Sequence, residues 1–151
     1  MDRRRGTVSV EMAVVIPVLL LLLATVIEIG LLVKDRQVIH QAARAGAWKA
    51  ANGAPVTAVC EYVRGSAPDL DPDRLTIVCE RRPYNRDSGT WDSWVPLGSI
   101  GSFNDAFEGD RVRVALDYSH QFAMGRFFGA IIGHPESASM AMSCAVVARR
   151  E

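Results

Sequence analysis

The strongest pattern in the chain is a run of apolar residues near its N-terminus. Residues 12–33 are apolar except for Thr25, Glu28, Pro17 and Gly30. About 20 such residues are needed for a helix to cross a bilayer. A secretory signal has a shorter apolar region of roughly 7–15 residues followed closely by a small-x-small cleavage site, and no such site follows this run closely. The pattern therefore predicts a retained, single-pass membrane helix in the lipid bilayer, with residues 7–33 as the transmembrane part.

The charges that flank the run predict its orientation. Arg3, Arg4 and Arg5 precede it, whereas a mixed group, 34–36, follows it. Positive charge is enriched on the cytoplasmic side of membrane helices. We therefore expect the chain to lie in the cytoplasmic membrane with its N-terminus in the cytoplasm and its C-terminal domain outside it.

The helical pattern continues beyond the apolar run. It is rich in alanine and stops at Asn52-Gly53, with Pro55 two residues later. A helix over residues 7–51 would be about 65–70 Å long, longer than a bilayer is thick, so residues 34–53 are predicted to extend the same helix outside the membrane.

Small residues recur on one side of this extension. Ala42, Gly46 and Ala50 are spaced four residues apart, and such a stripe lets another backbone come close. The two candidates for that backbone are the sheet of the same chain and a neighbouring subunit. The pattern favours the sheet.

Residues 54–151 are predicted to form a small α+β domain outside the membrane. A short amphipathic helix is indicated by Val56, Val59, Cys60 and Val63. Alternating apolar residues predict strands within 73–82, 110–120 and 136–150. Residues 84–110 form a turn-rich excursion or hairpin loop, and residues 122–135 a connector or short helix. The predicted fold is a long pilin-like helix, a short helix and a three- to four-stranded antiparallel sheet.

Aromatic residues in the excursion allow two interpretations. Tyr84, Trp91, Trp94 and Phe103 could form an exposed recognition surface, because binding residues concentrate on loops. They could also fold back as a lid over the sheet, which is the interpretation we favour. A second apolar group, Phe127, Phe128, Ile131 and Ile132, could lie against the membrane surface, but we expect it to pack in the core.

Composition excludes some classes of function. Seventeen basic residues balance seventeen acidic ones, so the formal net charge is zero. A nucleic-acid-binding domain usually has a basic stripe, and none is present, so no nucleic-acid partner is expected.

The three cysteines, Cys60, Cys79 and Cys144, match no zinc-site spacing. All three fall on predicted inward faces. They could be three buried thiols, or one disulfide could join Cys79 to either Cys60 or Cys144. The sequence does not choose between these pairings.

No catalytic constellation is found. Asp117 and His120 are the nearest candidates for an anchored hydrolase, but a strand sends neighbouring side chains to opposite faces, so Asp117, Ser119 and His120 cannot converge as a triad. We therefore expect no catalytic residue, no metal and no cofactor, and we predict that the chain is not an enzyme.

Two acids stand at the edges of the membrane run. A charge at the bilayer centre costs roughly 2.5–3.5 kcal/mol on insertion scales, and acids within membranes are often functional. Glu11 and Glu28 could reach the headgroups instead. The residues alone leave both interpretations open.

The sequence around Glu11 resembles the processing site of type IV pilin-like precursors. The stretch RRRG is followed by TVSVE and then by the apolar helix. The resemblance implies that a prepilin peptidase removes residues 1–6 by cutting between Gly6 and Thr7. Glu11 is then the fifth residue of the mature chain, and its carboxylate can pair with the free ammonium of Thr7 in a neighbouring subunit.

Residues further along resemble the TadE-like family, the minor pseudopilins of the tight-adherence (Tad) pilus system. The shared features are an initial glutamate, a proline, a leucine-rich stretch, an acid-x-glycine exit and an Ala-Ala-Arg-x-Gly segment. Here they are Glu11, Pro17, residues 19–23, Glu28 with Gly30, and residues 42–46. The chain departs from the family at Met12, where an aromatic residue is common.

The resemblance implies a subunit that assembles a surface pilus or a related secretion filament, and the chain is expected to be incorporated into that pilus or to stay at its base. Thr7, Glu11, Pro17 and Glu28 would set its register. The implied partners are the prepilin peptidase, other pseudopilins, the major pilin and the inner-membrane assembly platform. The chief alternative is an uncleaved, membrane-anchored binding or scaffold domain, followed by the anchored hydrolase.

Overall fold

The computed structural model describes residues 3–122, 124–125 and 139–150, with side chains from residue 11 onward. Its contacts divide the chain into two units. Residues 1–34 and 121–138 belong to the first, which we call the N-terminal unit, and residues 35–120 and 139–151 to the second, the sheet unit.

The first element is the helix α1, Arg3–Ala51. It ends where the sequence predicts. The amide of Gly53 donates to the carbonyl of Ala50 at 3.0 Å, and that of Asn52 to Trp48 at 3.1 Å. Gly53 has a φ of +85°, a left-handed conformation that glycine adopts at low cost and that commonly closes a helix.

The second helix, α2, is Val56–Ser66, and it buries Val59 and Val63 as its apolar spacing predicts. A 3₁₀ turn, Pro72–Arg74, follows. The carboxylate of Asp71 accepts a 3.1 Å hydrogen bond from the amide of Asp73, which caps this turn at its N-terminus.

The main sheet has four strands. They are β1 (Leu75–Arg82), β4 (Val95–Pro96), β7 (Arg111–Gln121) and β8 (Ser139–Arg149), in the order β4-β1-β7-β8. β1 and β7 are antiparallel over their whole overlap, from Leu75 opposite Tyr118 to Arg82 opposite Arg111. β4 pairs antiparallel with the other edge of β1.

The excursion between β1 and β7 also contains two short antiparallel hairpins. β2 (Tyr84–Asn85) pairs with β3 (Thr90–Trp91), and β5 (Ser99–Ile100) pairs with β6 (Phe103–Asn104). Asn104 is buried and joins this region to the end of α1. Its Nδ2 donates to the carbonyl oxygens of Ala50 at 2.7 Å and Ala54 at 2.9 Å. Oδ1 of Asn104 accepts a 2.6 Å hydrogen bond from Nη1 of Arg150.

The core of the sheet unit lies on one face of the sheet. Val112, Val114 and Leu116 alternate along β7 and are completely buried, because strand side chains point to opposite faces in turn. Ile39 of α1 and the apolar face of α2 are buried with them.

The α+β fold, the long helix, the short helix and the antiparallel sheet predicted from the sequence are confirmed. The predicted loop over 84–110 contains the edge strand β4 and the two hairpins, which the residue pattern did not show separately. The predicted connector is described only at residues 122, 124 and 125, and the apolar group within 127–132 lies outside the described residues.

Candidate functional site

The candidate site is the membrane-type part of α1. Gly6 and Thr7 lie in its N-terminal part, where the backbone is helical and the side chains lie outside the described set. Glu11 is the first residue whose side chain is described, and it is exposed. Pro17 lies inside the helix, so the carbonyl of Ala13 has no amide to bond to at that position.

The apolar surface of this part of α1 is exposed. Among the described residues, α1 is the one helix long and apolar enough to cross a membrane. Its most apolar 18-residue window has a mean hydropathy of 2.7, and only 6% of that window is buried. An apolar helix in a protein core would be covered by other residues. The exposed surface suggests a membrane anchor.

Glu28 differs from its neighbours on α1. Its side chain is 8% exposed, whereas Ile27 and Ile29 on either side are 55% and 59% exposed. Oε1 of Glu28 has no hydrogen-bond partner among the described residues. Burying a polar group without a partner is costly, so this carboxyl requires a hydrogen-bond donor.

Glu28 lines a cavity of about 340 Å³ within the N-terminal unit. One wall is a single face of α1, and the other is formed by three residues after β7. The lining residues are Leu21, Ala24, Thr25, Glu28, Ile29 and Leu32 with Phe122, Met124 and Gly125. The hydroxyl of Thr25 donates to the carbonyl of Leu21 at 2.9 Å, so it supplies no donor to Glu28. The cavity is therefore apolar with one acidic group.

The small-residue stripe lies inside the sheet unit. Ala42 and Ala50 are completely buried. A Cβ added at Gly46 would collide with Cγ2 of Val63 and would come within 3.3 Å of Cγ1 of Val114. The close approach is therefore between α1, α2 and β7 of the same chain.

Two histidines make polar contacts that the sequence did not predict. Nδ1 of His120 lies 2.7 Å from Oδ2 of Asp35, and both side chains are largely buried. Nδ1 of His40 lies 3.0 Å from Sγ of Cys144. Burial raises the pKa of Cys144, and the nearby charges of Arg44 and Arg36 oppose that rise.

The other two cysteines are neighbours. All three cysteines are free thiols in the structure. Burial is the main cause that raises the pKa of Cys79 to about 12, and the charge and hydrogen bonding of Cys60 contribute to the same rise. Of the two disulfides that the sequence allows, the structure brings together the residues of the Cys60–Cys79 pair. Cys144 lies against His40 instead.

The loop aromatics cover the side of the sheet that faces away from the core. Arg111 stacks on Trp91 at 4.3 Å and Arg113 on Trp94 at 4.5 Å. Nε of Arg113 also donates to Glu80 at 2.7 Å. These rings are half-buried, as a lid would be, whereas Phe103 is 63% exposed.

The residues considered for catalysis do not meet. Asp117 is exposed, and His120 is buried beside Asp35 on the core side of β7. Within the described ranges, no three His, Cys, Asp or Glu side chains are grouped so as to hold a metal ion.

Comparison with known proteins links the candidate site to one family. The model of the TadE-like protein family matches residues 6–48, which include Gly6, the whole apolar run, and Ala42 and Gly46 of the small-residue stripe. This match associates the chain with the Tad pilus system. No significant match was found among curated proteins or solved structures.

Proposed function

We propose that this chain is a minor pilin-like subunit, a pseudopilin, that takes part in assembling a tight-adherence type pilus or a related secretion filament. The observation that carries the proposal is the extent of the family match, which begins at Gly6 and covers the apolar helix. In this role the chain performs no chemistry of its own and is a substrate of a prepilin peptidase.

The exposed apolar surface of α1 supports a role in assembly. A single helix that serves only as an anchor needs sufficient length and hydrophobicity. An acidic residue at its start would then only make membrane insertion less favourable. In a bundle of such helices, the ammonium that cleavage creates at Thr7 can pair with Glu11 of the next subunit. A polar contact inside an apolar bundle is well suited to fix register.

The proposed partners follow from this role. The peptidase acts after Gly6, on the cytoplasmic side. Other pseudopilins and the major pilin pack along α1, and the inner-membrane assembly platform engages the processed subunit. The sheet unit lies outside the cytoplasm, which agrees with the charge distribution around the apolar run.

The decisive experiment is the intact mass of the mature chain. The full-length protein is expressed with and without its cognate peptidase, alongside Gly6→Ala and Gly30→Ala. We expect a start at Thr7 that requires the peptidase and is lost only in Gly6→Ala. Gly30→Ala is the matched control, because a Cβ at Gly30 meets no atom within 4 Å.

An unprocessed N-terminus in the presence of active peptidase would overturn the proposal. The alternative would then be a tethered binding domain. Exposed apolar residues on the sheet unit favour that alternative, since Ile100, Phe103 and Phe107 are each more than 60% exposed. Loss of function on replacing these residues, with no effect of Glu11→Ala, would support it.

A further inference from the structure

The cavity at Glu28 is an incomplete polar site. Its walls are apolar, its one acidic side chain is 92% buried, and Oε1 of that side chain has no partner among the described residues. Because Oε1 is buried among these apolar walls, bulk water does not reach it to supply the missing hydrogen bond. A group that completes the site must therefore bring a donor on an apolar stem.

Lysine and arginine side chains have this form, with a hydrocarbon stem and a cationic head. The chain has such a residue at the end of its apolar run, Lys34, which is exposed. Lys34 has an interaction within its own chain, and its ammonium carries three N–H donors. It is therefore able to bridge its own chain and a second one.

Helical geometry directs Lys34 away from the Glu28 cavity of its own chain. The six residues from Glu28 to Lys34 correspond to about 1.7 turns and about 9 Å of rise. The acid and the base therefore project from different sides of α1 at different heights. A second copy displaced by about 9 Å toward the N-terminal end of the helix would place its lysine level with the cavity.

We propose that the cavity at Glu28 takes the Lys34 side chain of a second copy of this chain. The inference rests on the proposed assembly role. Because the two contacting surfaces lie on different sides of one helix, the contact is head-to-tail. Contacts of this type repeat into rings or open helical filaments, and do not close as a two-fold dimer. Glu28 is thus a second register contact, separate from Glu11.

The test uses two differently tagged full-length copies, expressed together with their assembly proteins. A photo-cross-linking amino acid replaces Ile29, which lines the cavity, or Leu22, which is equally exposed at 59% but lies outside the lining. We expect the probe at residue 29 to join the second copy within one turn of Lys34. The yield should fall about threefold or more in Lys34→Gln.

Controls separate the specific contact from loss of charge or of folding. Arg64→Gln removes an exposed cation from α2 and should leave the yield from residue 29 unchanged. Adducts from residue 22 should not depend on Lys34. Glu28→Lys and Lys34→Glu should each lower the yield from residue 29, and the double charge reversal should restore it, because every copy then carries both reversed partners.

Three results would overturn the inference. The first is a probe at residue 29 that joins lipid or a different protein, and the second is no adduct from residue 29. The third is a yield that Lys34→Gln does not change. The N-terminal mass, measured in the same samples, decides the proposed function separately. A start at Thr7 without the Lys34-dependent adduct contradicts only the contact at Glu28.

Discussion

Nδ1 of His120, near the end of β7, lies 2.7 Å from Oδ2 of Asp35 on α1, and the two residues are 85 positions apart in sequence. The contact joins the part of α1 that belongs to the sheet unit to the C-terminal end of β7. Both side chains are at most 15% exposed.

Asp35→Ala should therefore destabilise the sheet unit. Removing the carboxylate takes away a buried hydrogen bond to a charged group, which costs about 1.5–3 kcal/mol of unfolding free energy. Chemical unfolding of the full chain in detergent, followed by tryptophan fluorescence, measures this. Asp87→Ala, in the exposed β2–β3 turn, should change stability by about 0.5 kcal/mol or less. Equal losses in the two variants would contradict the prediction.

Gly46→Ala should also destabilise the sheet unit. The added methyl collides with Val63 and lies close to Val114, and overpacking of this kind costs about 1–3 kcal/mol. Gly65→Ala is the control, because its Cβ would meet no atom within 4 Å. It should keep or raise stability, since alanine is the better helix former. A second substitution, Val63→Ala, should recover part of the loss at Gly46, which a double-mutant cycle would detect.

Asn104→Asp should be costly despite the similar shape of the two side chains. An Asp side chain has no N–H groups to donate to the carbonyls of Ala50 and Ala54. The expected loss of unfolding free energy is therefore about 1–3 kcal/mol. Asn85 provides a matched control. Its Oδ1 accepts hydrogen bonds from the amides of Asp87 and Ser88, so Asn85→Asp keeps this acceptor. A melting temperature that falls equally in both variants would refute the role of Asn104.

Cys79 should react slowly with iodoacetamide in the reduced, folded protein. Its pKa is raised to about 12, and only the thiolate is nucleophilic. At pH 8 we expect alkylation roughly a hundredfold or more slower than in the unfolded chain. Peptide mass spectrometry over time distinguishes Cys79 from the other two cysteines. Folded and unfolded chains that react at similar rates would contradict the burial of this thiol.

The same pKa shift predicts a pH dependence of stability. The folded state holds the Cys79 proton to a higher pH than the unfolded state does. The contribution of this thiol to the free energy of unfolding should therefore be constant below about pH 9 and fall as the pH rises toward 12. Cys79→Ala should reduce this slope. If the substitution left the slope unchanged, the loss of stability at alkaline pH would be due to other groups.

The sequence by itself determined the elements whose signal is local. The length of the apolar run predicted the membrane-type helix, and Asn52-Gly53 marked the end of α1. Alternation along residues 112–118 predicted β7 and its buried face. These features depend on the period and length of a continuous stretch, which the residues of that stretch specify.

Tertiary structure alone decided which distant side chains meet. The pairing of His120 with Asp35, of His40 with Cys144, and the contacts of Asn104 join residues 46 to 104 positions apart. The burial of Glu28 depends in the same way on residues that follow β7. Such contacts are set by strand register and by how helices pack on the sheet. One position of slip would turn the buried face of a strand outward, and no local pattern encodes that outcome.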